Sequence, residues 1–457
     1  MNTKKLSIGS KFQYALYDFG YIGLSLACNT YLLIYLTTIG GMSALLAPVA
    51  MALGRFLAAV TGPVEGVVIE STNTKMGRYR TWILLGTLIY FAASLALFTN
   101  WGAQLSETIQ FAAVTFLYWL WGVGADMAYI PFITFNSILT QDPQERVALS
   151  KWRNIGTSTV KILTGYILLP LVYFFGGTKD YTAKGMFWMI FSCGALLLIC
   201  LISVMELTKP YKDAGIAQSK GKAVKVPLKE QLKLFGSSRA LAGIFIAEIF
   251  RNIYIVGAAS LWPYFFTYVI GNTDMLPVYL GSAGIAMLLG TLIGPSLTKK
   301  LSKKACYIGA SIFSAFCFTL MYLTAENAIL AIACGCAATF AVALPMTLVT
   351  AMYADLGDFI YWKTKTNARA TINSLYMISI KIGATITYLI IGAGLAAAGF
   401  SAGAEITAQT VNGLRILCCI APASMLLLSA VSLLLYNIKE KDLPQMQQEI
   451  AQRETAM

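Results

Sequence analysis

Histidine is missing altogether, and charged residues make up only 12% of the 457 in the chain. Without an imidazole no Ser–His or Cys–His pair can form, and no Cys/His zinc site can be completed. The acids are not clustered either, so a metal dyad is excluded with them. The chain is expected to be no enzyme, to hold no metal and to need no cofactor. The scarcity of charge, beside 57% hydrophobic residues and a mean hydropathy of +0.68, excludes a soluble globular protein of this length. The period-2 alternation of barrel strands is lacking as well. The long apolar runs therefore read as helices, the other way to satisfy a backbone in lipid. There is also no polar stretch large enough for a signalling domain, which counts against a membrane sensor.

What is present is a series of twelve apolar runs, each about as long as a bilayer requires. They fall near 13–37, 43–68, 81–99, 107–135, 154–175 and 184–205, then near 240–269, 276–297, 305–323, 328–354, 372–397 and 411–437. The expected fold is an all-α polytopic membrane protein with twelve transmembrane helices in two six-helix bundles. Residues 1–205 form the first bundle, 206–238 a linker, 239–437 the second bundle and 438–457 a tail. The linker holds seven lysines against Glu206, Asp213 and Glu230. Further basic clusters lie on the same side: Lys4/Lys5/Lys11, Lys75/Arg78/Arg80, Arg146/Lys151/Arg153, Lys299/Lys300/Lys303/Lys304 and Lys363/Lys365/Arg369. Of the opposite loops only Lys179 and Lys184 stand out. The positive-inside rule then puts the linker and both termini in the cytoplasm of a multi-pass cell-membrane protein. Basic helix ends meeting anionic lipid explain the +13 charge without a nucleic-acid partner. A monomer is expected.

All nine cysteines fall inside predicted spans and read as packing residues. Cys334 and Cys336 are two apart on a helix and face different ways. Lys4, Lys5 and Lys11 lead into a full-length apolar run, so no cleavable signal is expected. Gly62-Pro63 near the end of the second run recurs as Gly294-Pro295 near the end of the eighth, 232 residues later and again before a basic loop. Arg153 and Lys161 are likewise echoed by Arg369 and Lys381. Paired six-helix halves with a site between them mark an alternating-access carrier.

An ionised side chain near mid-membrane costs roughly 2.5–3.5 kcal/mol on insertion scales and therefore marks a pathway or a partner. Arg55, Asp126, Lys161, Glu248, Arg251 and Lys381 lie within the runs, whereas Asp18 and Glu65 read as nearer the cytoplasmic face. Lys381 is the one charge between Leu375 and Phe400. Glu248 and Arg251, three apart, share a helix face. They form either a standing ion pair or one that opens in transport, with Arg251 on a substrate anion and Glu248 on a proton. Asp126 and Lys161 lie at comparable distances from the loop that joins their spans, a spacing that lets them pair as a clamp or meet a substrate. The segments Thr140–Arg153 and Asp355–Arg369 read as cytoplasmic loops. Glu70, Arg153, Asp355, Asp358 and Arg369 are their candidate gate residues. Most aromatics, among them Tyr21, Tyr31, Tyr264 and Tyr376, read as packing or interface residues. Tyr129 and Trp262 are candidates for stacking on the apolar face of a sugar ring.

The segment MYADLGDFIYWKTKTNARATINSLYMISIK, with YDFG in the first span, MGRYRTW after the second and QERVALSKWR after the fourth, resembles the glycoside-pentoside-hexuronide cation symporters. This is the melibiose permease branch of the major facilitator superfamily. The resemblance spans nearly the whole chain and implies sugar uptake driven by a sodium or proton gradient, through a cavity between two bundles. Arg55, Arg153, Arg369 and Lys381 match family charges at the site or inner gate. Two departures stand out. The paired aspartates that sodium-coupled members carry on the second helix are here Ala58 and Gly62, which offer a hard cation no oxygen. The sugar-binding aspartates of helices one and four are Ile22 and Tyr129.

These readings converge on a secondary transporter of a sugar, glycoside or sugar acid, with a uronide or oligouronide favoured. Arg55, Lys161, Arg251 and Lys381 outnumber Asp126 and Glu248, and guanidinium groups grip carboxylates bidentately. The expected substrate contacts are Arg55, Tyr129, Lys161, Arg251, Trp262 and Lys381. Asp126 and Glu248 are the expected coupling acids for a proton. The alternative is a sodium-coupled symporter of a neutral glycoside.

Overall fold

The computed structural model describes residues 6–72, 74–100, 105–140, 142–211, 238–298, 301–364, 369–401, 406–438 and 440–455. Lys4, Lys5, Lys299, Lys300, Lys365 and residues 212–237 of the linker lie outside them. Within the described residues every regular element is a helix, and twelve spans are long and apolar enough to cross a membrane. The first half comprises α1 (Ile8–Ile34), α2 (Leu46–Ser71), α3 (Arg78–Leu97), α4 (Glu107–Leu139), α5 (Pro143–Gly176) and α6 (Ala183–Thr208). The second comprises α7 (Arg239–Tyr264), α8 (Met275–Leu297), α9 (Lys303–Leu323), α10 (Ala328–Ala343), α11 (Met346–Thr364), α12 (Arg369–Ala397), α13 (Ala408–Arg415) and α14 (Ala421–Ser432). The tenth span is α10 and α11 in series, interrupted at Pro345, which has no N–H to continue the ladder. The twelfth is α13 and α14 joined by a π-helical turn, Ile416–Ile420.

Two segments read as loops are helical instead. Asp142 caps α5 by accepting a hydrogen bond from the Gln144 N–H at 2.9 Å, with Pro143 in the first turn. Those are start signals, and they begin α5 eleven residues before the expected span start at 154. Asp355 and Asp358 sit inside α11, which runs on to Thr364. The tail is structured too: α15 (Leu443–Thr455) packs on α11, burying Met446 and Ile450, and Trp362 Nε1 donates to Glu449 at 2.6 Å.

The internal repeat is carried by the backbone as well as by Gly-Pro. At the end of α1 a π turn, Tyr35–Ile39, is closed by Gly40 N–H to Tyr35 O (2.8 Å) and Met42 N–H to Leu36 O (3.1 Å). At the end of α7 a second π turn, Phe265–Val269, is closed by Ile270 N–H to Phe265 O (2.9 Å) and Asn272 N–H to Phe266 O (3.0 Å). Gly41 and Gly271, 230 residues apart, supply the left-handed φ that reverses the chain in each case, 72° and 70°.

Call the end of the bundle that carries the described parts of both termini the terminal face, and the opposite end the far face. The bundles meet on the far side. Thr37 bonds Tyr264 at 2.5 Å, Ser260 donates to Asn29 O at 3.0 Å, and Tyr166 bonds Ser282 at 3.2 Å. A Cβ on Gly165 of α5 would stand only 2.5 Å from the Gly281 backbone nitrogen of α8, so these helices touch backbone to backbone. The apolar core is continuous through this junction, from Tyr31 and Leu32 to Tyr264 and Phe266. Toward the terminal face the second bundle has a core of its own, around Leu241, Tyr307, Leu356 and Met446. Outward stripes such as Phe174, Ile199, Leu292 and Phe316 stay exposed, as they must where the surrounding medium is lipid.

Candidate functional site

Lys381, on α12, reaches across to the first bundle. Its Nζ lies 2.9 Å from Asp126 Oδ2 on α4, with the two side chains 35% and 31% exposed. Gly62 of α2 makes room for it: a Cβ there would have one neighbour, Lys381 Nζ, at 3.1 Å. The expected Asp126–Lys161 contact is therefore absent. Asp126 faces the second bundle, and a helix-spacing argument within one bundle could not find a partner 255 residues away.

Glu65 stands beside this bridge, near enough to Asp126 and Lys381 to feel both charges. In the last two turns of α2 it is buried, with Oε1 accepting from Thr61 at 2.8 Å and Oε2 left without a partner. Nearby, Arg55 is stacked between rings, 5.1 Å from the Trp121 centroid and 5.7 Å from that of Tyr118. The two rings are themselves parallel at 5.2 Å. Tyr118 then bonds Tyr388 of α12 at 3.0 Å, a second link across the same seam.

Lys161 occupies the matching seam, where α5 meets α8. Its ammonium contacts Met287 Sδ at 3.7 Å, and it makes no ion pair among the described residues. It lines a cavity of about 220 Å³ between the bundles, walled by α1 and α5 on one side and α7, α8 and α10 on the other. Tyr254, Trp262 and Tyr279 form the aromatic part of that wall. The Trp262 and Tyr279 rings meet edge to face at 4.7 Å. A concave, mostly apolar chamber with one cation and a few hydroxyls suits a ligand with an apolar ring face and one charged group.

The other expected contacts lie elsewhere. Tyr129 donates its phenolic proton to Asp18 Oδ1 at 2.7 Å, and the Thr157 hydroxyl donates to Asp18 Oδ2. Asp18 is fully buried among them, close enough to Arg153 and Lys161 for their charges to act on it. Glu248 and Arg251 form a closed bidentate pair, Nε to Oε1 at 2.8 Å and Nη2 to Oε2 at 2.6 Å, with side chains 0% and 5% exposed. Tyr307 adds a bond to Glu248 Oε1 at 2.9 Å and Ser429 one to Tyr307 at 3.1 Å. Neither member of the pair lines the cavity. With Asp18 and Glu65 both buried in the first bundle, the sequence count of deep charges changes. Four carboxylates stand against Arg55, Lys161, Arg251 and Lys381, so no surplus of cations remains; Lys161 is distinguished as the one of these four cations that lines the cavity, with no acid in hydrogen-bonding contact among the described residues.

At the terminal face, ion pairs between described residues stay within one bundle. Lys11 bonds Glu145 at 2.8 Å in the first, and Lys303 bonds Asp355 at 2.5 Å in the second. Glu70 is exposed in the last turn of α2, and Asp358 lies one turn beyond Asp355. The side chain of Arg369 lies outside the described residues.

Comparison with known proteins agrees with this architecture. A family model described as MFS/sugar transport protein matches residues 13–440. The isoprimeverose transporter of Lactiplantibacillus pentosus is 27% identical over 97% of this chain and 91% of its own. A putative 2,3-dihydroxypropane-1-sulfonate exporter of Salmonella typhimurium is 24% identical over 99% of this chain and 97% of its own. Among solved structures, a D-xylose–proton symporter superposes with a TM-score of 0.65 at 14% identity, covering 93% of this chain and 96% of that one. At that identity the likeness concerns the fold.

Proposed function

The chain belongs to the MFS/sugar transport protein family, in its glycoside-pentoside-hexuronide branch, and from that premise we propose that it imports a sugar acid or acidic glycoside together with a proton. Secondary transport of a sugar-class solute follows from the family. The choice of an acidic one rests on Lys161, a cation with no acid in hydrogen-bonding contact that lines an apolar, aromatic cavity between the bundles. An ammonium in that setting is stabilised when a carboxylate or sulfonate arrives, and aromatic faces receive the ring that carries it. A relative named for a sulfonate solute makes an anion compatible with this scaffold, and one named for isoprimeverose keeps neutral glycosides in the test.

Alternating access is supported by the distribution of contacts. The far side is closed by direct contacts between bundles, whereas the described ion pairs of the terminal face leave each bundle to itself. With the basic terminal face in the cytoplasm, this is the inward-facing arrangement. Coupling runs through Asp126 and Lys381, whose bridge is the ion pair between described residues that joins the bundles inside the spans. A proton supplies the coupling, because a lysine ammonium already stands against Gly62, and Ala58 and Gly62 bring no oxygen for a metal cation. Glu248 and Arg251 hold α7 to α9 and α14.

Thermal shift of the purified protein with D-glucuronate, D-galacturonate, D-xylose and lactose, each with and without sodium, tests both parts. Stabilisation by the uronates alone, unchanged by sodium, is the expected result. Stabilisation by a neutral sugar that requires sodium would overturn it.

A further inference from the structure

We propose that Glu65 binds the co-transported proton, serving as the second carboxylate of the Asp126–Lys381 centre. The inference rests on the proton-coupled reading above. Among the described residues, the other carboxylates deep within the spans have partners for both oxygens or a cation in direct contact. Asp18 has Tyr129 and Thr157, Asp126 has Lys381, and Glu248 has Arg251 and Tyr307. Glu65 has one hydroxyl on Oε1, while Oε2 is buried and bonded to nothing. An ionised carboxylate in that state forfeits its hydration, whereas a proton on Oε2 turns it into a neutral acid.

The groups around Glu65 define what the proton does. The charges of Asp126 on α4 and Lys381 on α12 act on it, and the Lys381 ammonium stands against Gly62, one helical turn before Glu65. Its own helix supplies Thr61, which also accepts from Trp119 Nε1 at 3.3 Å. The arginines of α3 are engaged elsewhere, Arg78 on Thr72 O and Arg80 on Met205 O. The α2 surface beside Glu65 is open, since a Cβ on Gly66 would meet no atom within 4 Å and one on Gly62 only Lys381 Nζ. That space leaves the Lys381 side chain room to move. With Glu65 protonated, Lys381 belongs to Asp126 and the three groups carry no net charge. When the proton leaves to water, Glu65 becomes a second anion competing for the same ammonium, and the bridge between bundles loosens. Proton occupancy is thereby tied to a contact that crosses the seam.

The test is infrared difference spectroscopy on the full chain in lipid vesicles, which needs no knowledge of the solute, followed by uptake of labelled D-glucuronate. Wild type should show a protonated-carboxyl C=O band that vanishes on alkalinisation. Glu65→Gln should lose that band, and Glu65→Asp should retain it at a shifted position. Glu65→Gln should also keep solute exchange across the membrane while acid-gradient-driven accumulation falls to simple equilibration. An unchanged band in Glu65→Gln, or a band lost with driven accumulation intact, overturns the assignment of Glu65 alone. Wild-type accumulation that ignores the proton gradient overturns the coupling reading, and this inference with it.

Discussion

Lys381 Nζ lies 2.9 Å from Asp126 Oδ2, a hydrogen-bonded ion pair between residues 255 positions apart that joins the two bundles inside the membrane. Removing one partner strands the other charge in a low-dielectric seam. Because both side chains are about a third exposed, the loss should stay below the roughly 3–5 kcal/mol seen for fully buried pairs. Asp126→Ala and Lys381→Ala are each expected to abolish driven uptake. The exchanged pair Asp126→Lys with Lys381→Asp should regain thermal stability relative to either single reversal. Equal melting temperatures for the double and single reversals would show that the contact does not join the bundles.

Glu248 and Arg251 give a contrasting case. Their bidentate pair is buried and tied to Tyr307, so Glu248→Gln should destabilise the detergent-solubilised protein by about 3–5 kcal/mol. Tyr307→Phe, which removes one hydrogen bond to a charge, should cost about 1.5–3 kcal/mol. Both are read as shifts in the melting curve. A Glu248→Gln variant as stable as wild type but defective in proton coupling would return Glu248 to the coupling role that the sequence suggested.

The backbone contact between Gly165 and Gly281 predicts how the far side closes. A Cβ at 165 meets the α8 backbone, which cannot step aside as a flexible side chain can. Gly165→Val should hold the far side ajar, raising the reactivity of a cysteine placed at Ser282 toward an impermeant thiol reagent added outside. Transport should fall at least tenfold. Unaltered labelling and transport would mean that the helices separate at this point in the working protein.

Lys161 should govern which solutes are accepted. Lys161→Gln removes the charge and keeps most of the volume. It is expected to reduce uronate uptake tenfold or more, about 1.4 kcal/mol or more of binding, with little change in stability. Competition by neutral sugars against labelled D-glucuronate should become stronger in the variant. Identical solute profiles in wild type and variant would remove Lys161 from the site.

Twelve spans and their division into two sets of six were legible because the bilayer imposes a length and a composition that single residues reveal. The starts of α5 and the end of α11 were not, since those turns leave the apolar region and continue as helix on capping and tail packing, as at Asp142 and Trp362. The charges inside the spans were legible as a set, but their pairing was not. Asp126 chose Lys381 over Lys161 because helix order fixes which residues share a bundle, and contacts across bundles depend on how the bundles sit. Glu65 was passed over for a related reason. Its buried Oε2 shows only when α4 and α12 are packed around α2. The offset of 230 residues that sets Gly41 against Gly271 also sets Tyr-Leu-Thr-Thr-Ile against Phe-Phe-Thr-Tyr-Val, too small a likeness to notice without the π turns those segments form.

Proton-driven import of an acidic sugar is tested by uptake of labelled D-glucuronate into vesicles holding only this protein. With an inward proton gradient and no sodium, the label should concentrate inside and leak out when a protonophore is added. Accumulation of D-xylose but not glucuronate, or accumulation that requires sodium and ignores the protonophore, would contradict the account.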